Sequence, residues 1–205
     1  MTTESPTRHG VPLRVLLVAL VAGLILGAVT SLSDVHAEGL NPSDVWRVLA
    51  IILNAACSWL AVAVLAGRAS RRPAWAAVAG ALALVVAVLA YYGYGVTWGD
   101  RSGLGVHGVA HTAESWLLVA VLAGPSGGLL GWLSCRRTWL GSAATAVVGL
   151  AVIAEVLLRL RLTPSAFDRD PVWAWTLLAM ALAGLVTVAV AVAVSTVRAL
   201  SRTRS

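Results

Sequence analysis

The chain has 205 residues, of which 59% are hydrophobic and 12% are charged, and its formal net charge is +6. A soluble domain usually carries about a quarter charged residues, so this composition excludes an ordinary soluble protein. The positive charge does not indicate nucleic-acid binding, because the arginines lie in short clusters between apolar runs, as in the cytoplasmic loops of membrane proteins. The lipid bilayer is therefore the partner that the composition predicts.

Six apolar runs are long enough to cross the roughly 30 Å hydrocarbon core of a bilayer as helices, at about 1.5 Å per residue. The predicted spans are 11–32, 46–66, 73–93, 114–133, 139–160 and 172–197. They predict an all-α, polytopic membrane domain over residues 11–197. A short disordered N-terminus (1–10) precedes this domain and a basic tail (198–205) follows it.

The first run contains Gly23 and Gly27, a pair of small residues four apart that suits close helix packing. Its flanks resemble a signal peptide, because Arg8 precedes it, Arg14 lies at its start and residues 35–37 look like a cleavage site. The run is longer than the usual signal-peptide core, so we expect it to stay in the protein as a transmembrane helix.

The second run carries two polar side chains, Asn54 and Ser58, which one continuous helix would place on the same face. Asn54 would then lie about 12 Å below the outer end of its span. An interhelical hydrogen bond, worth about 0.6 kcal/mol, is the simpler interpretation. Contact with a ligand or an ion is the alternative.

Three ionisable residues lie near the start of the fourth run: His107 and His111 in the glycine-rich linker 95–112, and Glu114 at the first position of the run. Their spacings of four and three would line one helix face and could supply ligands to a divalent metal. The glycines of the linker predict that the helix begins only near Thr112, which leaves His107 in a solvated loop. We therefore predict neither a metal nor a cofactor.

The fourth run is interrupted near its middle by Gly124, Pro125, Gly128 and Gly131. A proline inside a helix costs about 3 kcal/mol, and in hydrocarbon the carbonyl that it frees needs a partner from the protein. We therefore predict that this helix bends at Pro125 and lies at the centre of the bundle. Its glycines are expected to pack against the glycine pair of the first span.

The fifth run contains Glu155, an acid inside a predicted span. An intramembrane carboxylate could carry a proton or bind a cation. Arg159 follows one helical turn later, in the order that favours an ion pair. We therefore expect a structural Glu155–Arg159 pair close to the outer interface.

The arginines also predict how the chain is oriented in the membrane. Six spans place both termini on one side, and ten of the fifteen arginines lie in the termini and in the second and fourth loops. Positively charged loops stay in the cytoplasm, so both termini are predicted to be cytoplasmic.

Short motifs are spread over four of the predicted spans. They are Asn54 with Trp59 and Gly67, the pair Tyr91-Tyr92, Gly124-Pro125 with Gly128 and Gly131, and Ala154-Glu155. Over residues 13–197 they resemble a family of small six-helix bacterial membrane proteins known only as a domain of unknown function. The resemblance implies a multi-pass protein of the bacterial plasma membrane and supplies no substrate or reaction. In that family a serine usually follows the asparagine, whereas Ala55 does so here.

No pair of candidate groups has catalytic spacing, so we predict no catalytic residues and a non-enzymatic protein. A structural, regulatory or accessory role is the first interpretation, with a membrane-protein partner or a homo-oligomer left open. The alternative is a small transporter or channel for an ion or a polar solute. Transport predicts a polar cavity that reaches Asn54, whereas an accessory role predicts a packed interior without one.

Overall fold

The computed structural model describes residues 13–38, 43–98, 105–164 and 170–202. Within these ranges the chain forms seven α-helices and no strand. The helices are α1 (Leu13–Ala37), α2 (Asp44–Leu53), α3 (Ala56–Arg68), α4 (Pro73–Trp98), α5 (Gly105–Ser134), α6 (Trp139–Leu162) and α7 (Pro171–Arg202). The predicted segment 1–10 and the last three residues of the tail lie outside the described ranges.

Five of the described helices, α1, α4, α5, α6 and α7, are long and apolar enough to cross a membrane. The pair α2 and α3 would supply a sixth, bent span. The prediction of an all-α, polytopic membrane protein is therefore confirmed. The number of spans and the side on which the termini lie stay predictions.

The helices run up and down between two ends of a bundle. At one end, which we call the Ala37 end, α1 and α4 finish and α2 and α5 begin. At the opposite end, which we call the Arg68 end, α3 and α5 finish and α4 and α6 begin. The Trp132 indole donates to the Arg71 carbonyl at 3.2 Å and fixes the last turns of α5 against the α3–α4 connection.

Helix α4 lies at the centre of the bundle and packs against α1, α3 and α5. The α6–α7 hairpin lies beside this group and contacts it through α2, α3 and α5. Between α6 and α7, Gly149 lies against Gly184, so these two backbones also approach closely. Small residues let helices approach closely in a membrane, where burial of apolar surface drives association much less than it does in water.

Glycines set the closest contacts of α5. A Cβ atom added to Gly128 would overlap the carbonyl of Ala76 on α4, and one added to Gly131 would overlap the carbonyl of Val64 on α3. Gly124 lies against the Ala81 backbone in the same way. These contacts place α5 against α3 and α4.

The predicted partners of the glycines were wrong. Gly23 and Gly27 lie against the carbonyls of Ala83 and Ala87 on α4, so the glycine pair of α1 packs on α4 instead of on α5. Helix α5 is a single helix through Pro125, and the bend at this residue stays a prediction. A proline removes one backbone donor, and the neighbouring helices and the remaining bonds hold the helix together around it.

Two predicted helix boundaries also change. Helix α5 begins at Gly105, seven residues before Thr112, so the backbone of His107 is helical. The first helix continues to Ala37, beyond the predicted end at residue 32, and so includes Asp34. At the end of α1, Asp34 bonds to Asn54 and Tyr91, and His36 stacks on Trp46, so tertiary contacts accompany the extension of this helix.

Candidate functional site

The second span is broken at Asn54 and Ala55, where α2 and α3 meet at 65°. Ala55 has an extended backbone (φ −75°, ψ 134°), which ends the helical hydrogen bonding. Helix α3 is about 20 Å long, and the ten residues of α2 add only about 6 Å along its direction at this angle. The predicted continuous helix over 46–66 is therefore wrong, and Asn54 and Ser58 do not share one helix face.

Each carbonyl at the end of α2 is hydrogen-bonded by a side chain, and those of Ala50 and Ile52 also accept from the backbone N–H groups of Asn54 and Ala55. The last four carbonyls of a helix have no partner within it, and lipid offers none. All four carbonyls at the end of α2 accept from side chains at 2.6–3.2 Å: Ala50 from Asn54, Ile51 from Arg159, Ile52 from Ser58 and Leu53 from Trp59. The break can therefore lie inside a membrane without an unsatisfied carbonyl.

Asp34 links the break to two long helices. Its Oδ1 accepts from the Asn54 amide at 2.5 Å, and its Oδ2 accepts from the Tyr91 hydroxyl at 2.7 Å. The three residues belong to α1, the α2–α3 break and α4. Both donors are neutral, so neither brings a positive charge next to this carboxylate.

Glu155 and Arg159 connect α6 to the same break. Arg159 Nε donates to Glu155 Oε1 at 2.8 Å, so the ion pair predicted from their spacing is present. Arg159 also donates from Nη1 to the Ile51 carbonyl at 3.2 Å. The pair therefore makes a tertiary contact, which its position on one helix face did not reveal.

A cavity of about 400 Å³ lies beside the break, between α3, α4, α5 and α6. Its wall is mostly hydrocarbon and aromatic, with polar groups supplied by Asn54, Tyr91 and Glu155. The complete lining is Asn54, Ala56, Trp59, Leu60, Leu84, Val88, Tyr91, Trp116, Val119, Ala120, Ala123 and Glu155. A cavity that reaches Asn54 interrupts the packed interior expected for an accessory role. Because its lining is mostly apolar, it is also not the polar cavity expected for transport.

The cavity is open at the surface of α5 and closed toward the Arg68 end. Trp116 and Val119 are 54% and 50% exposed, so the cavity opens laterally at the surface of α5. Toward the Arg68 end, Leu60 of the wall lies against Gly127, where α3 meets α5. Just beyond Ala123, the contact of Gly124 with α4 closes the space between the helices. The cavity therefore does not continue as a channel through this contact.

The predicted histidine and glutamate group is not joined to this cavity. His111 Nδ1 and Glu114 Oε2 are 3.9 Å apart, and both side chains are more than four-fifths exposed. The side chain of His107 lies outside the described part of the structure. Among the described residues, no three His, Cys, Asp or Glu side chains come together as a metal site.

Several residues of the site were not identified from the sequence. Asp34 and Trp116 were not singled out, and Tyr91 was named only within a family motif. The one available signal was the change within the second run, because residues 44–53 carry Asp44 and Arg47, whereas 56–67 has no charge. This change could have suggested two helices in place of one.

Together, the apolar helices, the broken span and the lateral cavity define a polytopic α-helical membrane protein with a candidate ligand site. The chain belongs to the family of unknown function DUF6518, whose family model matches residues 6–203. The resemblance inferred from the motifs is thereby confirmed at the level of a family of unknown function. Neither the curated proteins nor the solved structures gave a match to the chain.

Proposed function

We propose that this chain is a non-enzymatic, multi-pass protein of the bacterial plasma membrane that binds a small ligand in the cavity beside Asn54. Its role is regulatory or accessory. The observation that carries this proposal is the cavity of about 400 Å³ that runs from the exposed side of α5 to Asn54 and Glu155. Apolar walls with a few polar groups at one end are typical of small-molecule sites, which occupy about 300–1,000 Å³.

The hydrogen bonds around the cavity favour binding over catalysis. Glu155 is paired with Arg159, and both carboxylate oxygens of Asp34 accept hydrogen bonds. Groups held in this way maintain the geometry of the site. A general acid or base would instead need to point at the reacting atom of a substrate.

Filling the cavity tests the proposal. Ala123 lines the cavity, whereas Ala143 is an exposed alanine of α6 outside its lining. Octyltrimethylammonium, octanol and octanoate are added in turn to the protein in maltoside micelles, and the melting temperature is measured. A ligand that binds only the folded state raises this temperature. At least one probe should stabilise the wild type and Ala143→Trp but not Ala123→Trp, and equal behaviour of all three proteins contradicts the proposal.

Transport of a small solute is the second candidate, and the broken span favours it. Many transporters bind their substrate where a discontinuous helix is interrupted inside the membrane. Here a route to the Arg68 end would require α4 and α5 to separate at Gly80 and Gly124, which now touch. Uptake of the stabilising probe into proteoliposomes, absent in Ala123→Trp, would establish transport. Binding without uptake supports the regulatory or accessory role.

The orientation is part of the proposal, and the arginine clusters at the Arg68 end support it. Cys135 is exposed at this end, and Cys57→Ala leaves it as the single cysteine. A membrane-impermeant maleimide should label Cys135 only after the cells are permeabilised. Thr97→Cys, in a background without the native cysteines, reports on the Ala37 end and should be labelled in intact cells. Labelling of Cys135 in intact cells would reverse the orientation.

A further inference from the structure

We infer that the cavity selects a cationic amphiphile, with an ammonium head near Asn54 and Glu155 and an apolar body along α5. This inference rests on the proposed binding function and specifies the ligand class for the same cavity. Three features of the cavity support it: its net charge, the hydrogen-bonding groups that remain available, and its aromatic wall.

Among the described residues, the charged groups bonded at the polar end of the cavity carry a net negative charge. Glu155 lines the cavity, and Asp34 lies outside the lining but is bonded to Asn54 and Tyr91. Asp34 and Glu155 are two carboxylates, and Arg159 is the one guanidinium bonded to either of them within the described residues. The donors to Asp34 are an amide and a phenol, which satisfy its oxygens without neutralising it. This excess of one negative charge among the described groups favours a cation over an anion.

The N-terminus of α3 is the opposing feature, because Ala56 in its first turn also lines the cavity. A helix N-terminus carries the equivalent of about half a positive charge, and this partial charge would attract an anion. The two carboxylates less Arg159 leave one full negative charge. This negative charge is larger than the partial positive charge of the α3 N-terminus, so a cation is favoured.

Asn54 and Glu155 offer a ligand hydrogen-bond acceptors. The Asn54 amide nitrogen donates to both Asp34 and Ala50, so its carbonyl oxygen is the atom left for a ligand. Glu155 uses Oε1 for Arg159, and in the described part of the chain Oε2 has no hydrogen bond. A ligand head that donates hydrogen bonds or carries positive charge satisfies both atoms, whereas a carboxylate or a phosphate satisfies neither.

The aromatic wall suits the same ligand. Trp59 and Trp116 both line the cavity, and the indole N–H of Trp59 is already bonded to Leu53. What this ring offers a ligand is therefore π surface, which attracts ammonium groups. Leu60, Val88 and Val119 provide hydrocarbon contacts for the apolar body, which can enter from the bilayer at the exposed side of α5.

Isothermal titration of the purified protein in maltoside micelles tests the selection. Octyltrimethylammonium, octanol and octanoate share a chain length and differ in head charge. We expect the cation to bind about tenfold more tightly than octanol, and octanoate to bind more weakly than either. Glu155→Gln should weaken binding of the cation by about tenfold and leave the affinity for octanol unchanged. Glu114→Gln, which removes the same charge from an exposed site, should change neither.

A second pair of variants covers the case in which Glu155→Gln does not fold because Arg159 loses its partner. Trp116→Leu removes a half-exposed indole of the cavity, whereas Trp175→Leu removes an exposed indole of α7. Only Trp116→Leu should reduce the affinity for the cation by a larger factor than the affinity for octanol. Equal losses for both probes would mean that the indole supplies apolar contact alone, and this result contradicts the inference.

The outcomes separate this inference from the proposed function. If octanol or octanoate binds as tightly as the cation and Ala123→Trp removes their binding, the cavity is a binding site without selection for positive charge, and only the inference fails. Tightest binding of octanoate would show that the N-terminus of α3 determines the charge preference. If Ala123→Trp changes the binding of no probe, both proposals fail.

Discussion

Between α3, α4 and α5, the half of the bundle near the Arg68 end packs backbone against backbone, whereas the half near the Ala37 end leaves a cavity of about 400 Å³. The same three helices form both halves. Gly67, Gly80 and Gly128 let the backbones touch in the first half. In the second, side chains such as Trp59 and Tyr91 line a space that they do not fill. The size of the residues along each helix therefore decides which half can hold a ligand.

The two halves also differ in polarity. The glycine contacts join apolar segments, whereas the cavity half contains Asp34, Glu155 and Arg159 with the capped break of α2. Buried charges add less to stability than an apolar replacement of the same shape would. Their presence around an open cavity is therefore more readily explained by function than by folding. Four substitutions test this division, and the first two carry the largest expected effects.

Gly128→Leu should have the largest effect, because its side chain would overlap the backbone of α4 at Ala76. We expect a loss of about 3 kcal/mol or more in the free energy of unfolding, with a lower yield of folded protein. Thermal unfolding in detergent measures it. Gly93→Leu is the matched control, since a Cβ there meets no atom within 4 Å. Unchanged stability of Gly128→Leu would show that the half near the Arg68 end is not tightly packed at this residue.

Arg159→Leu should have the next largest effect, in the cavity half. It leaves Glu155 unpaired and takes the donor from the Ile51 carbonyl. A buried pair broken in this way costs about 3–5 kcal/mol, and partial exposure reduces the expected loss here to about 2 kcal/mol. Arg161→Leu, an exposed change on the same helix, should alter the melting temperature little. Equal effects of the two variants would show that the Arg159 contacts do not stabilise the break.

Asn54→Ala should cost about 1 kcal/mol, because it removes the hydrogen bonds to Asp34 and Ala50. Asn54→Asp keeps the shape of the side chain but places a second carboxylate beside Asp34 and cannot donate to it. This variant should therefore be less stable than Asn54→Ala. Chemical unfolding of the two proteins gives the order, and the reverse order would show that Asp34 and Asn54 are not in direct contact.

Ala123→Leu should have the smallest effect on stability, within about 0.5 kcal/mol, because the new atoms enter the cavity. The same change at Ala63, which is fully buried and lies against Gly127, should cost about 2 kcal/mol. Thermal unfolding of the two variants measures how much stability the same alanine-to-leucine change costs in each half. Similar losses would mean that the cavity is filled in the folded protein.

The motifs of the sequence identified the right residues more often than the right neighbours. Gly23, Gly27 and Gly128 do lie at close helix contacts, but the sequence could not show that α4 is the partner of all three. A glycine indicates that a backbone can come close and carries no information on which backbone does so. Glu155 and Arg159 were paired correctly because both lie on one helix, where spacing determines contact.

The sequence by itself determined the helical class and the apolar segments, because in lipid a chain must satisfy its backbone hydrogen bonds locally, and run length reveals where it does so. Only the tertiary structure decided the break at Asn54 and Ala55, where neither proline nor glycine gives a signal. The break depends on donors from elsewhere, including Arg159, which lies 108 residues after the Ile51 carbonyl that it caps. The cavity follows from the same long-range contacts, since its lining comes from four helices that the fold alone brings together.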